Sequence, residues 1–181
     1  MAKDTIPVDL RRELKAGRVV VVVGAGVSVA ASQNNPVASW RGLLRSGLTE
    51  CVDLIGRMKS LYPDIAPDWA EKVSRDIEST DIDDLLSAAE KIDRKLSGVS
   101  GAHTRWITET VGALRPINRA VLEAIDSLGV PIATTNYDGL IEIATEREAV
   151  TRFQRDSVDA FVRGDASVVL HLMAIGASVV L

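Results

Sequence analysis

The sequence predicts an α/β protein with a parallel sheet and a helical insertion between the first two strands of that sheet. The first predicted strand, at residues 18–23, contains five consecutive valines, a run that is typical of a parallel strand buried on both faces. The second predicted strand, at 130–135, comes only after a long stretch of helical periodicity at about 39–128. Aromatic residues make up 4% of the 181 residues, so the core consists of Val, Leu, Ile and Ala. That composition favours this class over an aromatic-rich β-barrel.

The segment around the first strand has clear boundaries. Residues 6–16 show an amphipathic pattern that begins at a proline and ends at a glycine, so we expect a short helix there. The strand at 18–23 then leads into a tight, glycine-containing turn at 24–28. The small and polar residues 29–35 predict either a loop or the start of a short helix.

The insertion contains several predicted helices. The first begins at Ser39 and is ended by a proline-rich stretch. The others are predicted at 68–97 (as two helices, the second starting near Asp81), at 102–112 and at 116–128, where Gly129 is a good helix stop. We expect the insertion to form a cap beside the sheet.

The last part of the chain returns to strand patterns. After the strand at 130–135 we expect a helix at 138–147, followed by a polar segment. A third strand is predicted at 167–172, and a fourth begins at 177–181. Because no repeat, low-complexity tract or linker interrupts the chain, residues 1–181 are predicted to form a single domain.

Composition excludes several classes of protein. The net charge is -4 and the pI is near 5.2, so the chain lacks the excess of positive charge that is typical of a general nucleic-acid-binding protein. The single cysteine, Cys51, allows neither an internal disulfide nor a thiolate zinc site, and we expect no metal. The N-terminus lacks the apolar core of a signal peptide, and no apolar run is long enough to cross a bilayer. We therefore expect a cytoplasmic protein without a membrane partner.

The first strand ends in the motif Gly24-Ala25-Gly26-Val27-Ser28. At such a strand end the first glycine allows a turn that a Cβ would block, and the second lets backbone N–H groups approach a phosphate. The motif lacks the third glycine of the common dehydrogenase fingerprint and the Gly-Lys-Ser/Thr of a P-loop. It predicts a site for NAD or a close relative of NAD. The alternative is that both glycines only serve a tight turn.

The second strand ends in Thr134-Thr135-Asn136-Tyr137-Asp138. Ligands of open α/β sheets bind beyond the carboxyl ends of the strands, so Asn136 and Asp138 are expected in the same crevice as the glycines. An Asn amide can orient a ribose hydroxyl or a water molecule, and an Asp can accept from an amide or steady a developing cation. Alternatively, either residue caps the next helix.

Together these motifs resemble the sirtuin-like NAD-binding domain family. Gly24–Ser28 is similar to the family's Gly-Ala-Gly-hydrophobic-Ser turn, and Thr135–Asp138 is similar to its Thr-Gln/Thr-Asn-x-Asp strand end. The segment Pro36–Leu44 resembles a Pro…Ser-Trp-x-Gly-Leu segment of the zinc-free, mostly bacterial branch. The order and spacing of these motifs cover about residues 17–172.

The resemblance implies a Rossmann-like sheet with NAD in its crevice. With Cys51 as the only cysteine, the zinc ribbon of the deacylase branch is not expected, which leaves the branch of zinc-free NAD glycohydrolases. Several members of that branch act in antiphage defence and hydrolyse NAD to ADP-ribose and nicotinamide. Asn136 would then position the water or the nicotinamide ribose, and Asp138 would hold the nicotinamide carboxamide. The cofactor-binding residues implied in this way are Gly24, Ala25, Gly26, Ser28, Thr135, Asn136 and Asp138.

The chain departs from the family at the general base. The family has a His-Gly pair after the next strand, whereas this chain reads Leu170-His171-Leu172-Met173. His171 matches the first His of the family's run, and Met173 occupies the position of the base. Because a Met cannot take a proton, we expect impaired hydrolysis. Deletion of one nucleotide from codons for His-Gly-His-Trp gives codons for Met-Ala-Ile-Gly, which is the sequence at 173–176. Both a frameshift and ordinary divergence are compatible with this run.

Nothing in the chain matches the family's second half, which holds the adenosine side. The expected sheet is therefore incomplete, with an exposed edge. Three functional hypotheses follow: an impaired NAD glycohydrolase, a non-catalytic nucleotide-binding or assembly module, and a degraded fragment of such a protein. The expected partners are NAD and either further copies of the chain or a partner subunit.

The catalytic residues implied by the resemblance are Asn136, Asp138 and His171, and for His171 the alternative is a satisfied core histidine. Other candidate residues have simpler explanations, and His103 is predicted to be a solvated or helix-capping residue. Arg41 and Arg45 either contact phosphate or lie on a solvated helix face. The acidic run Asp81–Asp84 fits a helix N-terminus better than a metal site, and Cys51 is expected to pack in the core.

Overall fold

A computed structural model describes residues 6–62, 65 and 67–173, and it shows an α/β protein with an entirely parallel sheet. The sheet has the order β1-β2-β4-β3. Each neighbouring pair of strands is parallel, which confirms the α/β class and the parallel sheet. The strands are β1 (Val21–Val23), β2 (Ile132–Thr134), β3 (Glu148–Thr151) and β4 (Val168–His171).

The helices follow most of the predicted boundaries. They are α1 (Val8–Lys15), α2 (Ala25–Ala31), α3 (Trp40–Arg57), α4 (Trp69–Glu78), α5 (Ile82–Ser97), α6 (Ala102–Glu109), α7 (Ala120–Asp126), α8 (Leu140–Thr145) and α9 (Arg155–Val162). Short 3-10 turns lie at Pro36–Ala38, Lys59–Leu61 and Val111–Ala113. None of the helices among the described residues is both long and apolar enough to cross a membrane.

The chain divides into two compact units. The sheet unit contains the residues up to Gln33 and from Arg115 onward, and the helical unit is the continuous segment Asn34–Leu114. All four strands belong to the sheet unit. The helical unit lies between β1 and β2 in the sequence, and it contains α3 to α6.

The two faces of the sheet carry different residues. Parallel register partners project to the same face, so Val22, Ala133, Leu170 and Val150 form one row across the four strands. Helix α9 covers the β3 and β4 part of this face, where Phe161 joins a core cluster with Ala133, Val150, Val168 and Leu170. The opposite face carries a second row at the carboxyl ends of the strands, formed by Val23, Thr134, His171 and Thr151.

The predicted burial of the first strand on both faces is wrong. Val23 is 2% exposed, but Val22 is 65% exposed and Val20 is 50% exposed. The reason is the place of β1 at one edge of the described sheet, while α9 packs against β3 and β4. One face of β1 therefore remains open.

The helical unit is held together by an apolar core and by backbone capping. Its α3 begins at Ser39, as predicted, where the serine Oγ accepts from the Gly42 amide at 3.1 Å. Its α5 begins after Asp81, whose carboxylate accepts from the Asp83 amide at 2.9 Å. Both N-caps confirm the boundaries predicted from the sequence. The most deeply buried core residues of this unit include Cys51, Leu54, Val73, Ile77, Ile92 and Leu96.

The structure differs from the prediction in two places, and one predicted element falls on residues that it does not describe. The tight turn expected at 24–28 is absent, because α2 begins directly at Ala25 after β1. The polar segment after α8 contains β3 and α9, which the sequence pattern did not predict. The fourth strand predicted at 177–181 lies outside the described residues.

Candidate functional site

The two motifs at the strand ends meet in the sheet unit. β1 and β2 are neighbours and end level with each other, since Val23 is the register partner of Thr134. The Thr135 amide donates to the Val23 carbonyl at 3.1 Å. An added Cβ on Gly24 would lie 3.8 Å from Thr135 Oγ1. The glycine motif and the Thr-Asn-Tyr-Asp motif therefore share one edge of the sheet, although more than 100 positions separate them in the sequence.

A buried hydrogen-bonded chain links the two motifs. Asn136 Nδ2 donates to Ser28 Oγ at 2.7 Å. The Ser28 hydroxyl donates in turn to Asp138 Oδ2 at 2.7 Å. All three side chains are buried. The Ser28 hydroxyl thus accepts one hydrogen bond and donates another. Together these two bonds fix the orientation of the Asn136 amide and of the Asp138 carboxylate.

Asp138 also holds the start of α8. Its second oxygen, Oδ1, accepts from the Leu140 amide at 3.2 Å, while Gly139 occupies the N-cap position. The sequence left a choice between a capping role and a place beside the glycine motif. The structure shows both, one for each carboxylate oxygen.

The electrostatic environment of Asp138 has opposing contributions. Burial raises the pKa of the carboxyl above its ordinary value, and this is the largest effect. The hydrogen bonds from Ser28 and from the Leu140 amide lower the pKa by stabilising the carboxylate. The nearby Glu142 raises it further, and His171 lowers it. The net result is that the pKa of Asp138 lies above its ordinary value, even though two hydrogen-bond donors contact the carboxyl group.

The two glycines of the first motif play different parts. Gly24 has φ -123° and ψ -177°, an extended conformation open to any residue. The prediction that the backbone conformation at this position requires glycine is therefore wrong. Gly26 lies in the first turn of α2 and is exposed. An added Cβ there would meet no described atom within 4 Å, so the backbone of Gly26 faces open space.

Thr135 and Ala25 flank the chain of hydrogen bonds. Thr135 is exposed, and its Oγ1 contacts the Val23 carbonyl oxygen at 3.5 Å. Ala25 is half-buried at the start of α2. The seven residues predicted to bind a cofactor thus all lie at the carboxyl ends of β1 and β2.

His171 is a buried histidine with a carboxylate partner. It is 1% exposed, and its Nε2 lies 2.6 Å from Glu142 Oε1. This is the arrangement of a core histidine with a satisfied polar partner, which was the alternative to a catalytic role. Sequence reasoning missed Glu142, which is 7% exposed. The available signal was a single glutamate within the apolar run Leu140–Ala144, four positions after Asp138.

Met173 lies two residues beyond β4 and is 49% exposed. The strand itself continues its pairing as far as Leu172, whose amide donates to the Thr134 carbonyl at 2.9 Å. A thioether has no proton-accepting group near neutral pH, so general-base chemistry is not available from this side chain. The other residues of the proposed frameshift, 174–176, lie outside the described residues.

The arginines predicted as alternative phosphate ligands have partners within the helical unit. The Arg41 guanidinium donates to the backbone carbonyls of Ile77 and Ser79, at the end of α4. Arg45 forms a two-pronged ion pair with Glu78, both distances being 2.7 Å. Arg45 is exposed, as expected of a solvated helix face, whereas Arg41 is half-buried, and both arginines join α3 to the end of α4.

The remaining candidates of the helical unit are structural. His103 lies in the first turn of α6, with Nε2 3.4 Å from Asp93 Oδ1 and its ring edge-on to Trp106. Cys51 is fully buried, as predicted, and burial raises the pKa of its thiol to about 12. The described part of the chain contains no cluster of three or more His, Cys, Asp or Glu residues that could hold a metal ion.

Comparisons with models of protein families, with curated proteins and with solved structures found no match to this chain.

Proposed function

We propose that the sheet unit binds NAD at the carboxyl ends of β1 and β2, as part of a Rossmann-like sheet. The observation that carries this proposal is the chain of hydrogen bonds from Asn136 through Ser28 to Asp138. It joins the two motifs that resemble the sirtuin-like family and orients their polar groups at the edge where open α/β sheets bind ligands.

The glycine motif supplies the side of the site that suits a diphosphate. The Gly26 backbone is exposed, and the space where a Cβ would project is open. Close approach of a ligand phosphate requires such a backbone without a side chain. This fits a dinucleotide, whose diphosphate lies between its two nucleosides.

The Asn136 side chain suits the ribose beside nicotinamide. Because its Nδ2 donates to Ser28, its Oδ1 is the atom left to accept a hydrogen bond from a ribose hydroxyl or a water molecule. Asp138 uses both carboxylate oxygens within the protein, one for Ser28 and one for the Leu140 amide. Its first role is therefore to hold Ser28 and Asn136 in place. Contact with a carboxamide would use the remaining lone pairs.

The proposed chemistry is hydrolysis of NAD to ADP-ribose and nicotinamide, impaired by the lack of a base. Met173 occupies the position where the sirtuin-like family has its histidine. His171 is enclosed and engaged with Glu142. Neither side chain can take a proton from water in the crevice, so binding without efficient turnover is the expected behaviour. A role in antiphage defence rests on the family resemblance alone.

The second candidate function is a non-catalytic nucleotide-binding or assembly module. The observation that favours it is the same engaged state of His171. Such a module would bind NAD with unchanged affinity whether or not a base were restored.

Calorimetric titration of the full chain with NAD tests the binding proposal. Gly26→Val should abolish binding, since a branched side chain would fill the space above the first turn of α2. Gly56→Val is the matched control, because Gly56 is also helical and also has no described atom within 4 Å of an added Cβ. Equal affinity of the two variants for NAD would refute the assignment of the glycine motif.

A further inference from the structure

A row of polar residues closes the carboxyl end of the sheet on the face opposite α9. Thr134 is the register partner of His171, and His171 is the register partner of Thr151, so the three side chains project together. Their exposed fractions are 1%, 1% and 2%. Helix α8 adds Glu142 to this row through its contact with His171.

Most polar atoms in this row have partners within the sheet unit. Thr134 Oγ1 contacts the Val23 carbonyl at 3.3 Å and accepts from the Asn136 amide at 3.0 Å. Glu142 Oε1 lies 2.6 Å from His171 Nε2. The Thr151 amide donates to Gln154 Oε1 at 2.7 Å.

Two enclosed atoms are the exceptions. Glu142 Oε2 and Thr151 Oγ1 are both inaccessible to solvent, and neither has a hydrogen-bond partner among the residues that the structure describes. Both belong to residues beside His171, since Glu142 Oε1 lies 2.6 Å from His171 Nε2 and Thr151 is the register partner of His171. A buried carboxylate oxygen and a buried hydroxyl both lower stability unless they are hydrogen-bonded.

The chemistry of the two atoms selects the group that joins them. The carboxylate oxygen requires a donor, and the hydroxyl takes either a donor or an acceptor. A water molecule offers two donors and two acceptors, and it commonly serves buried groups of this kind. One carboxylate oxygen and one hydroxyl are too few ligands for a divalent cation.

We propose that a buried water molecule binds between Glu142 Oε2 and Thr151 Oγ1 and completes a polar connection from α8 across β4 to β3. The water donates a hydrogen bond to the glutamate oxygen and forms a second hydrogen bond with the threonine hydroxyl. It thereby holds Glu142 against His171 and fixes the end of β4, next to Thr134 and the start of the Asn136 motif. This role does not depend on NAD binding.

Substitution of Thr151 distinguishes a bridged hydroxyl from an unpartnered one. Thr151→Val has the same shape without the hydroxyl. Loss of a water bridge should lower the midpoint of thermal unfolding of the full chain by about 2–4 °C. Thr151→Ser keeps the hydroxyl, so part of that loss should be absent. A higher midpoint for Thr151→Val than for the unchanged chain would overturn the proposal, because removing an unpartnered hydroxyl is stabilising.

A crystal structure at high resolution tests the same site directly. The proposal requires density for one water within hydrogen-bond distance of both atoms in the unchanged chain and in Thr151→Ser, and its loss or displacement in Thr151→Val. A direct bond between Glu142 and Thr151, or a protein atom in the place of the water, would overturn it. This readout remains available even where the valine variant folds poorly.

Discussion

Ser28 and Asp138 are joined by a buried hydrogen bond of 2.7 Å although 110 positions separate them in the sequence. The bond connects α2, which follows β1, to the segment between β2 and α8. It is one of two bonds made by the same hydroxyl, and the other comes from Asn136. One serine side chain therefore links the polar groups of the two motifs.

Ser28→Ala should lower the free energy of unfolding by about 1–3 kcal/mol, because the Asn136 amide and Asp138 Oδ2 would both lose their buried partner. Urea denaturation of the full chain measures this. Ser32→Ala is the control, since Ser32 is also buried but its hydroxyl makes only a 3.5 Å contact with the Val29 carbonyl. Equal losses in the two variants would contradict a special role for the Ser28 hydroxyl.

Asp138 should make stability depend on pH in a defined direction. Its pKa is raised by burial, so the folded protein holds the proton more tightly than the unfolded chain. The stabilisation from this proton is complete below the ordinary pKa of 3.8 and is lost as the pH rises to the raised value.

Denaturation of the parent chain and of Asp138→Asn across this interval checks the direction. The free energy of unfolding of the parent, relative to the variant, should fall as the pH rises and become constant above the raised pKa. The variant keeps an oxygen for the Leu140 amide and carries no titrating carboxyl. A relative stability of the parent that increases with pH would show that Asp138 has a lowered pKa instead.

Gly47 is a packing requirement of the helical unit. A Cβ at this position would lie 2.8 Å from Ile92 Cγ2 and 2.8 Å from Trp106 Cζ2. Gly47→Ala should therefore destabilise the chain by about 1–3 kcal/mol through overpacking. Gly56→Ala, in the same helix but in open space, should stabilise it by up to about 1 kcal/mol through helix propensity. Thermal unfolding of both variants provides the comparison.

Turnover of NAD should be at or near background for the unchanged chain, since absence of a positioned base costs about two to four powers of ten in rate. Nicotinamide release at high NAD concentration is the measurement. Met173→His combined with Ala174→Gly should raise it if the rest of the crevice is competent. Robust release by the unchanged chain, abolished by Asn136→Ala, would show that no histidine is needed at position 173.

Local signals in the sequence predicted the helical unit well. Ser39 and Asp81 are N-cap residues, and each precedes a helix with regular apolar spacing, so short-range chemistry alone places the starts of α3 and α5. The same holds for β2 and β4, whose apolar runs are buried. Such features depend on residues that are close to one another in the sequence.

Features that depend on distant partners were not predictable in the same way. β3 has an exposed glutamate at its start and only two buried residues, Val150 and Thr151, so its sequence resembles a loop. The pairing with β4 is what makes it a strand. Glu142 is of a residue type usually found at the surface, and its buried position is matched by the contact with His171, which comes from a distant strand. Ser28 and Asp138 were predicted to lie at the same edge, but their direct bond required the structure.

The insertion of a continuous helical unit between β1 and β2 has a consequence for the order of folding. During synthesis, the whole of Asn34–Leu114 leaves the ribosome before β2 does, and chains fold domain by domain from the N-terminus. β1 must remain without its neighbour until Thr134 reaches Val23, 111 positions later. The helical unit, rich in local contacts, can form in that interval, whereas the non-local sheet forms last. The valines of β1 thus form an unpaired, apolar strand edge in the nascent chain until β2 follows, and such edges are prone to aggregation.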